Sequence, residues 1–256
     1  MLAGNEVSVA KTESIGCLIG RVRTVKSDSN VTYASHIAAL FQKRCVECHR
    51  DGDIGPFALT SYEKAFGWAG MIEEVVDQGR MPPWHANPKF GHFSETRTLT
   101  DEEKSLVRQW VAAGAPAGDL SKAPPVPEYP SGWQMKRPPD LVVKMRDRPF
   151  DVPATGEVRY QFFMVDPGFT EDKWVYAGEV LPGNRSVVHH ALVFARGGKP
   201  GERLETLREG AGGGLLTGFV PGLRAKPLPQ GMAKLIPAGS KLIFQDRKST
   251  RLNSSH

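Results

Sequence analysis

The densest chemistry in the chain sits in Cys45-Val46-Glu47-Cys48-His49. This is C-x-x-C-H, the covalent attachment sequence of a c-type haem. Two thiols about one helical turn apart can add to the two vinyl groups of one porphyrin. The adjacent histidine then lies under the ring and ligates iron. Two other chemistries share the CxxC spacing. Half a zinc site would want a second Cys/His pair at close spacing, and no cysteine follows Cys48. A thioredoxin-type dithiol opens a helix after a strand, whereas this pair follows a helical pattern. Iron also needs a sixth ligand or an open position. Met81, in Arg80-Met81-Pro82-Pro83-Trp84-His85, is the expected thioether ligand, because prolines stiffen its loop and Trp84 can pack on the porphyrin. His85 is the rival and His92 a more distant one. Met71 reads as core filler. An open sixth position would instead suit a haem-based sensor.

A second pair with ligand chemistry is His189-His190. Adjacent strand residues point to opposite faces, which would give one core and one surface histidine. The two could serve one metal only if a bulge or twist turned both inward.

The elements that must position these groups follow from periodicity. Ile37, Leu40 and Phe41 predict a short amphipathic helix within Thr32–Arg44, running straight into Cys45. Thr60-x-x-Glu63 reads as a capping box opening a second helix. Its apolar stripe is Tyr62, Phe66, Ala69, Ile72 and Val76, and Gly79 stands at C′. Thr100-x-x-Glu103 opens a third, with Leu106, Val107, Trp110 and Val111 inward and Gly114 and Pro116 as stop signals. From Leu120 to Pro139 prolines crowd among Ser, Lys and Glu, an extended and semi-rigid connection. Trp133 within it is a candidate to dock on a neighbouring surface. Beyond it, β-like runs at Asp140–Met145, Val158–Val165, Lys173–Val180, Ser186–Ala195 and Ala233–Gln245 are separated by turn residues. Only Gly201–Glu209 hints at a helix. The expected fold is therefore multidomain: an all-α cytochrome c domain followed by an incomplete antiparallel β-sandwich.

Three resemblances sharpen this reading. Residues 31–119 resemble the cytochrome c domains of bacterial multidomain proteins, through Cys45 to Arg50, Gly52 to Tyr62 and Arg80 to Ala86. PGNRSVVHHALVF, FVPG and IPAGSKLIFQ resemble the N-terminal β-sandwich of copper type II, ascorbate-dependent monooxygenases. Relatives in that family are peptidylglycine alpha-hydroxylating and dopamine beta-monooxygenases. The resemblance implies that His189 and His190 ligate the electron-transferring copper. It places the remaining ligands, and the second copper, downstream of Gln245. Residues 2–21 are similar to the last turn and strand of bacterial redoxin domains, which makes Cys17 a buried strand residue.

The ends shape the remaining expectations. The last eleven residues, DRKSTRLNSSH, resemble a translated sequencing adapter, so Asp246–His256 is expected to be an artefact. The domain reading is then a remnant at 1–30, a cytochrome c domain at 31–119, a linker at 120–139, a truncated monooxygenase-like β-sandwich at 140–245, and the tail. The 256 residues carry a formal charge of +5, which alone would permit a nucleic-acid or anionic-membrane partner. The tail supplies Arg247, Lys248 and Arg251 against Asp246, so the rest carries only +3. No nucleic-acid partner is expected. The longest uncharged run is too short for a spanning helix, and the N-terminus lacks a signal-peptide pattern. Because haem is attached covalently outside the bacterial cytoplasm, an extracytoplasmic or periplasmic location is expected, with the signal peptide lost upstream. The function that follows is a haem c electron-transfer module. It would take electrons from an upstream redox protein or small reductant and pass them to a fused copper monooxygenase-like domain. The parent would hydroxylate a C–H bond, and this fragment would only transfer electrons. The alternative is an electron carrier fused to a non-catalytic β-sandwich binding module.

Overall fold

The computed structural model describes residues 24–26, 28–93, 95–130, 132–197 and 214–249. The Cys17 strand, the Gly201–Glu209 helix and the tail beyond Ser249 lie outside the described residues.

The N-terminal half is built by local signals. Thr32 caps a π-helical turn, Tyr33–Ile37, by accepting from the Ser35 N–H. The turn continues as α1, Ala38–Arg44. Ser61 caps α2, Tyr62–Phe66, and α3 runs Ala69–Asp77. The long α4, Asp101–Ala112, opens with the expected capping box: Thr100 accepts from the Glu103 N–H and Glu103 accepts in return. It stops at Gly114, whose φ is +83°. A Cβ there would meet the Thr24 carbonyl oxygen, so glycine is required by space as well as by conformation.

These helices bury one apolar cluster around Ile37, Phe41, Val46, Val107 and Trp110, all essentially inaccessible. Burying each of the larger side chains stabilises by about 1.5–3 kcal/mol. The Trp110 and Phe41 rings meet edge to face at 6.0 Å. Trp110 Nε1 donates to the Pro116 carbonyl, and the Tyr62 hydroxyl to the Ala115 carbonyl. Those two bonds tie the chain after α4 onto the helices.

Two expectations are corrected here. The stripe from Tyr62 to Val76 is inward as read, but it belongs to two helices separated at Gly67 and Trp68, with Ser61 rather than Thr60 as cap. The all-α cytochrome c domain is also overturned. Among the described residues there are four α-helices of five to twelve residues, and the chain is otherwise mostly coil and sheet. Periodicity located the helices and their inward faces, but the all-α expectation overlooked the long loops at 45–61 and 78–100, which carry much of residues 31–119.

The C-terminal half is antiparallel, as expected. One sheet has the order β1-β6-β3-β4, with β1 Gln161–Val165, β3 Val188–Arg196, β4 Leu215–Phe219 and β6 Lys241–Lys248. A second pairs β2, Lys173–Val175, with β5, Lys234–Ile236. Val193, Leu242 and Phe244 form the main core of the four-stranded sheet, with Phe163 and Val165 against them. The Asp140–Met145 run is not a strand: Leu141 and Val142 are exposed, and only Val143 and Met145 pack on the sheet. β6 continues past Gln245 through Asp246, Arg247 and Lys248, pairing with β3 along that length.

Candidate metal centres

The C-x-x-C-H segment is one tight turn added to the end of α1. The Cys45 and Val46 N–H groups both donate to the Phe41 carbonyl at 2.8 Å. The Cys48 and His49 N–H groups donate to the Cys45 carbonyl at 3.1 and 2.9 Å. Val46, fully buried, pins the turn to the helical core. Both thiols are free. Burial, then Cys48 and Glu103, pushes the Cys45 thiol up to about 12, with Arg44 opposing. Burial, then Asp53, raises Cys48. A redox dithiol depends on a stabilised thiolate, and this turn disfavours one.

His49 Nδ1 lies 3.0 Å from the Phe57 carbonyl oxygen. A carbonyl only accepts, so Nδ1 carries the proton and Nε2 keeps its lone pair. That is the tautomer of a metal-ligating imidazole oriented by a backbone acceptor. Burial lowers the His49 pKa, with the Phe57 contact opposing, so the ring is neutral at neutral pH. The Phe57 ring stands 4.9 Å from His49 and stacks on Trp68 at 4.2 Å with an 11° tilt.

The loop after His49 is equally specified. Gly55 donates to the Cys48 carbonyl and Leu59 to the His49 carbonyl, each at 2.9 Å. A Cβ at Gly55 would come within 2.7 Å of that Cys48 oxygen and 2.9 Å of His49 Nδ1. Arg50 binds Asp53 at 2.6 Å, donates to the Glu47 carbonyl at 2.7 Å, and lies 4.0 Å over the Tyr129 ring. Asp53 in turn accepts from the Ile54 N–H.

Met81 is half-buried in the loop after α3, its N–H donating to the Val75 carbonyl at 3.1 Å. His85 and His92 are exposed on the same loop. Among the described residues no three His, Cys, Asp or Glu side chains gather as a metal cage. The haem reading does not need one, because its thiols bind carbon and only His49 and a thioether or second imidazole face iron.

His189 and His190 are brought together. The β3–β6 register shifts between Val188 and His190, so strict alternation fails there. The two Nδ1 atoms stand 3.2 Å apart. Two nitrogens held by one metal at about 2.0–2.1 Å can span that separation. His190 Nε2 is buried and meets no partner of good geometry. Burial lowers both imidazoles, and Arg247 lowers them further; Gln245 and Asp246 oppose this at His190. At 3.2 Å the two rings share an N–H···N hydrogen bond, and imidazole nitrogen is a donor type that copper, zinc, iron and nickel all accept.

No family model matches this chain, and neither does any curated protein or solved structure.

Sequence reasoning missed the Phe57 carbonyl, because a backbone acceptor has no residue signature. It also missed Asp53 and Tyr129 as partners of Arg50. Arg50-x-x-Asp53 was visible as an i, i+3 pair, but Tyr129 comes from the distant proline-rich segment. Among the described residues no helix is long and apolar enough to cross a membrane.

Proposed function

We propose that the chain is a haem c electron-transfer module that delivers electrons to copper in its C-terminal half. Cys45 and Cys48 would hold the porphyrin as thioethers, and His49 Nε2 and Met81 would supply the iron ligands. His189 and His190 are two copper ligands. The observation that carries the reading is the His49 Nδ1–H bond to Phe57, which fixes a ligand tautomer beside two free cysteines at C-x-x-C-H spacing. When bound, haem and copper would each supply reversible one-electron chemistry. The chain's own residues do the rest. Val46 and Gly55 keep the turn in place, Phe57 orients the imidazole, and burial keeps it neutral. Donors are an upstream redox protein or a small reductant, and the location is extracytoplasmic. The copper half would serve C–H hydroxylation.

Coexpression with a haem-attachment system tests the first half. The expected result is a mass gain of one haem that survives denaturation and is lost in Cys45→Ser/Cys48→Ser. A chain that never acquires covalent haem overturns the proposal. Met81→Ala should change the reduced-state optical spectrum, and an unchanged spectrum removes Met81 as ligand. A second reading, an electron carrier with a non-catalytic β-rich binding module, is favoured by the lack of a third ligand beside His189 and His190 among the described residues. Copper titration of the chain and of His189→Ala/His190→Ala separates the two.

A further inference from the structure

The two halves meet through polar contacts. The segment after β4 crosses to the helical half and makes three of them. Arg224 Nη2 lies 2.8 Å from Glu47 Oε2, and Lys226 Nζ lies 2.6 Å from Glu95 Oε1. The Arg97 guanidinium donates to the Gly222 carbonyl. Glu47 stands between the two cysteines of the attachment turn, so Arg224 touches that turn directly. The same segment is fastened to its own half. Ala225 donates to Gln134 Oε1 at 3.2 Å, and Leu228 to the Tyr176 carbonyl at 2.7 Å. The linker joins this junction through Tyr129, under Arg50.

The three buried apolar clusters do not cross the junction. One holds residues 31–129, and the other two hold residues of the C-terminal half. Exposed ion pairs each shift an equilibrium only a few-fold, and salt screens them. Docking held by such contacts is reversible, whereas a large apolar interface would not be.

We propose that the 221–226 segment is an electrostatic latch that docks the C-terminal half onto the Cys45–His49 turn, closed at low ionic strength and open at high. Arg224 grips Glu47, Lys226 grips Glu95, and Arg97 reaches back to the latch backbone. Its role in electron transfer rests on the proposed haem and copper reading, because a closed latch holds the two centres at one separation. The contacts themselves need neither cofactor.

The test is a charge swap on the full chain, with and without haem, read by tryptic cleavage after Lys136 and by small-angle scattering. At low salt, Arg224→Glu and Glu47→Arg should each raise the cleavage rate roughly three- to tenfold and expand the particle. The Glu47→Arg/Arg224→Glu double variant should restore both, and about 1 M salt should erase the differences. Far-ultraviolet circular dichroism checks that each variant folds. If one does not, Glu95→Lys, Lys226→Glu and their double variant carry the same comparison. Folded single variants that cleave at the parental rate, or a swap without rescue, overturn the latch. Rescue in a chain that never takes haem overturns the haem reading and leaves the latch standing.

Discussion

At the residue scale, two side-chain environments make sharp demands. Gly55 sits where any Cβ meets the Cys48 carbonyl and the His49 ring. Gly55→Ala is expected to cost about 1–3 kcal/mol as overpacking. It should also displace the Phe57 acceptor, so that ¹⁵N NMR of His49 no longer shows one Nδ1-protonated tautomer. Retention of that tautomer would remove Gly55 from the positioning of His49. Asp246 is the opposite case. It is 1% exposed on the face of β6 that carries Leu242 and Phe244, with Oδ1 lacking a partner and Oδ2 paired to Lys248 at 2.6 Å. The pair itself contributes little, but Lys248 is only 11% exposed, so Asp246→Leu alone strands it and is expected to cost about 3–5 kcal/mol in urea melts, whereas Asp246→Leu/Lys248→Leu should be neutral or stabilise by about 1–4 kcal/mol. A single variant as stable as the parent would show that Lys248 needs no partner there.

At the element scale, the N-terminus of α4 gathers charge. Burial alone would raise the Glu103 carboxyl, but the Thr100 N–H, Lys43 and Arg44 together hold it below the usual glutamate value. A depressed folded pKa stabilises above the unfolded value, about 4.3, and that stability drains as pH falls through the folded value. Glu103→Gln is therefore expected to cost about 1 kcal/mol at pH 7. The gap to the parent should close as pH drops below about 4.3. A gap that stays constant would mean the charge is irrelevant. This cap was legible in the sequence because Thr100 and Glu103 are three residues apart and act within one turn. The α2–α3 break was not, because Gly67 keeps helical dihedrals and the apolar stripe runs through it unbroken. β4 was missed for a related reason: Leu215-Leu-Thr-Gly-Phe is short, holds a glycine, and becomes a strand only by pairing with β3. The histidine pair needed a register shift that two strands create together. The attachment turn was readable because its chemistry is contiguous, while its orienting carbonyl was not.

At the scale of the whole molecule, the separate apolar clusters predict separable stability. Trp110→Ala is expected to cost about 3–5 kcal/mol. Hydrogen exchange should accelerate across the helical half while β3 and β6 keep their protection. Uniform acceleration would show a single cooperative unit. The Phe57–Trp68 stack has a consequence for following this molecule in solution. Trp68 is an indole one aromatic ring away from His49, with part of its surface open to water. In the haem-free chain it should emit. Once porphyrin occupies the neighbouring turn, energy transfer should darken it, making Trp68 a built-in gauge of maturation. The difference spectrum between Trp68→Phe and the parent should vanish on haem attachment. A difference that persists would place the porphyrin elsewhere.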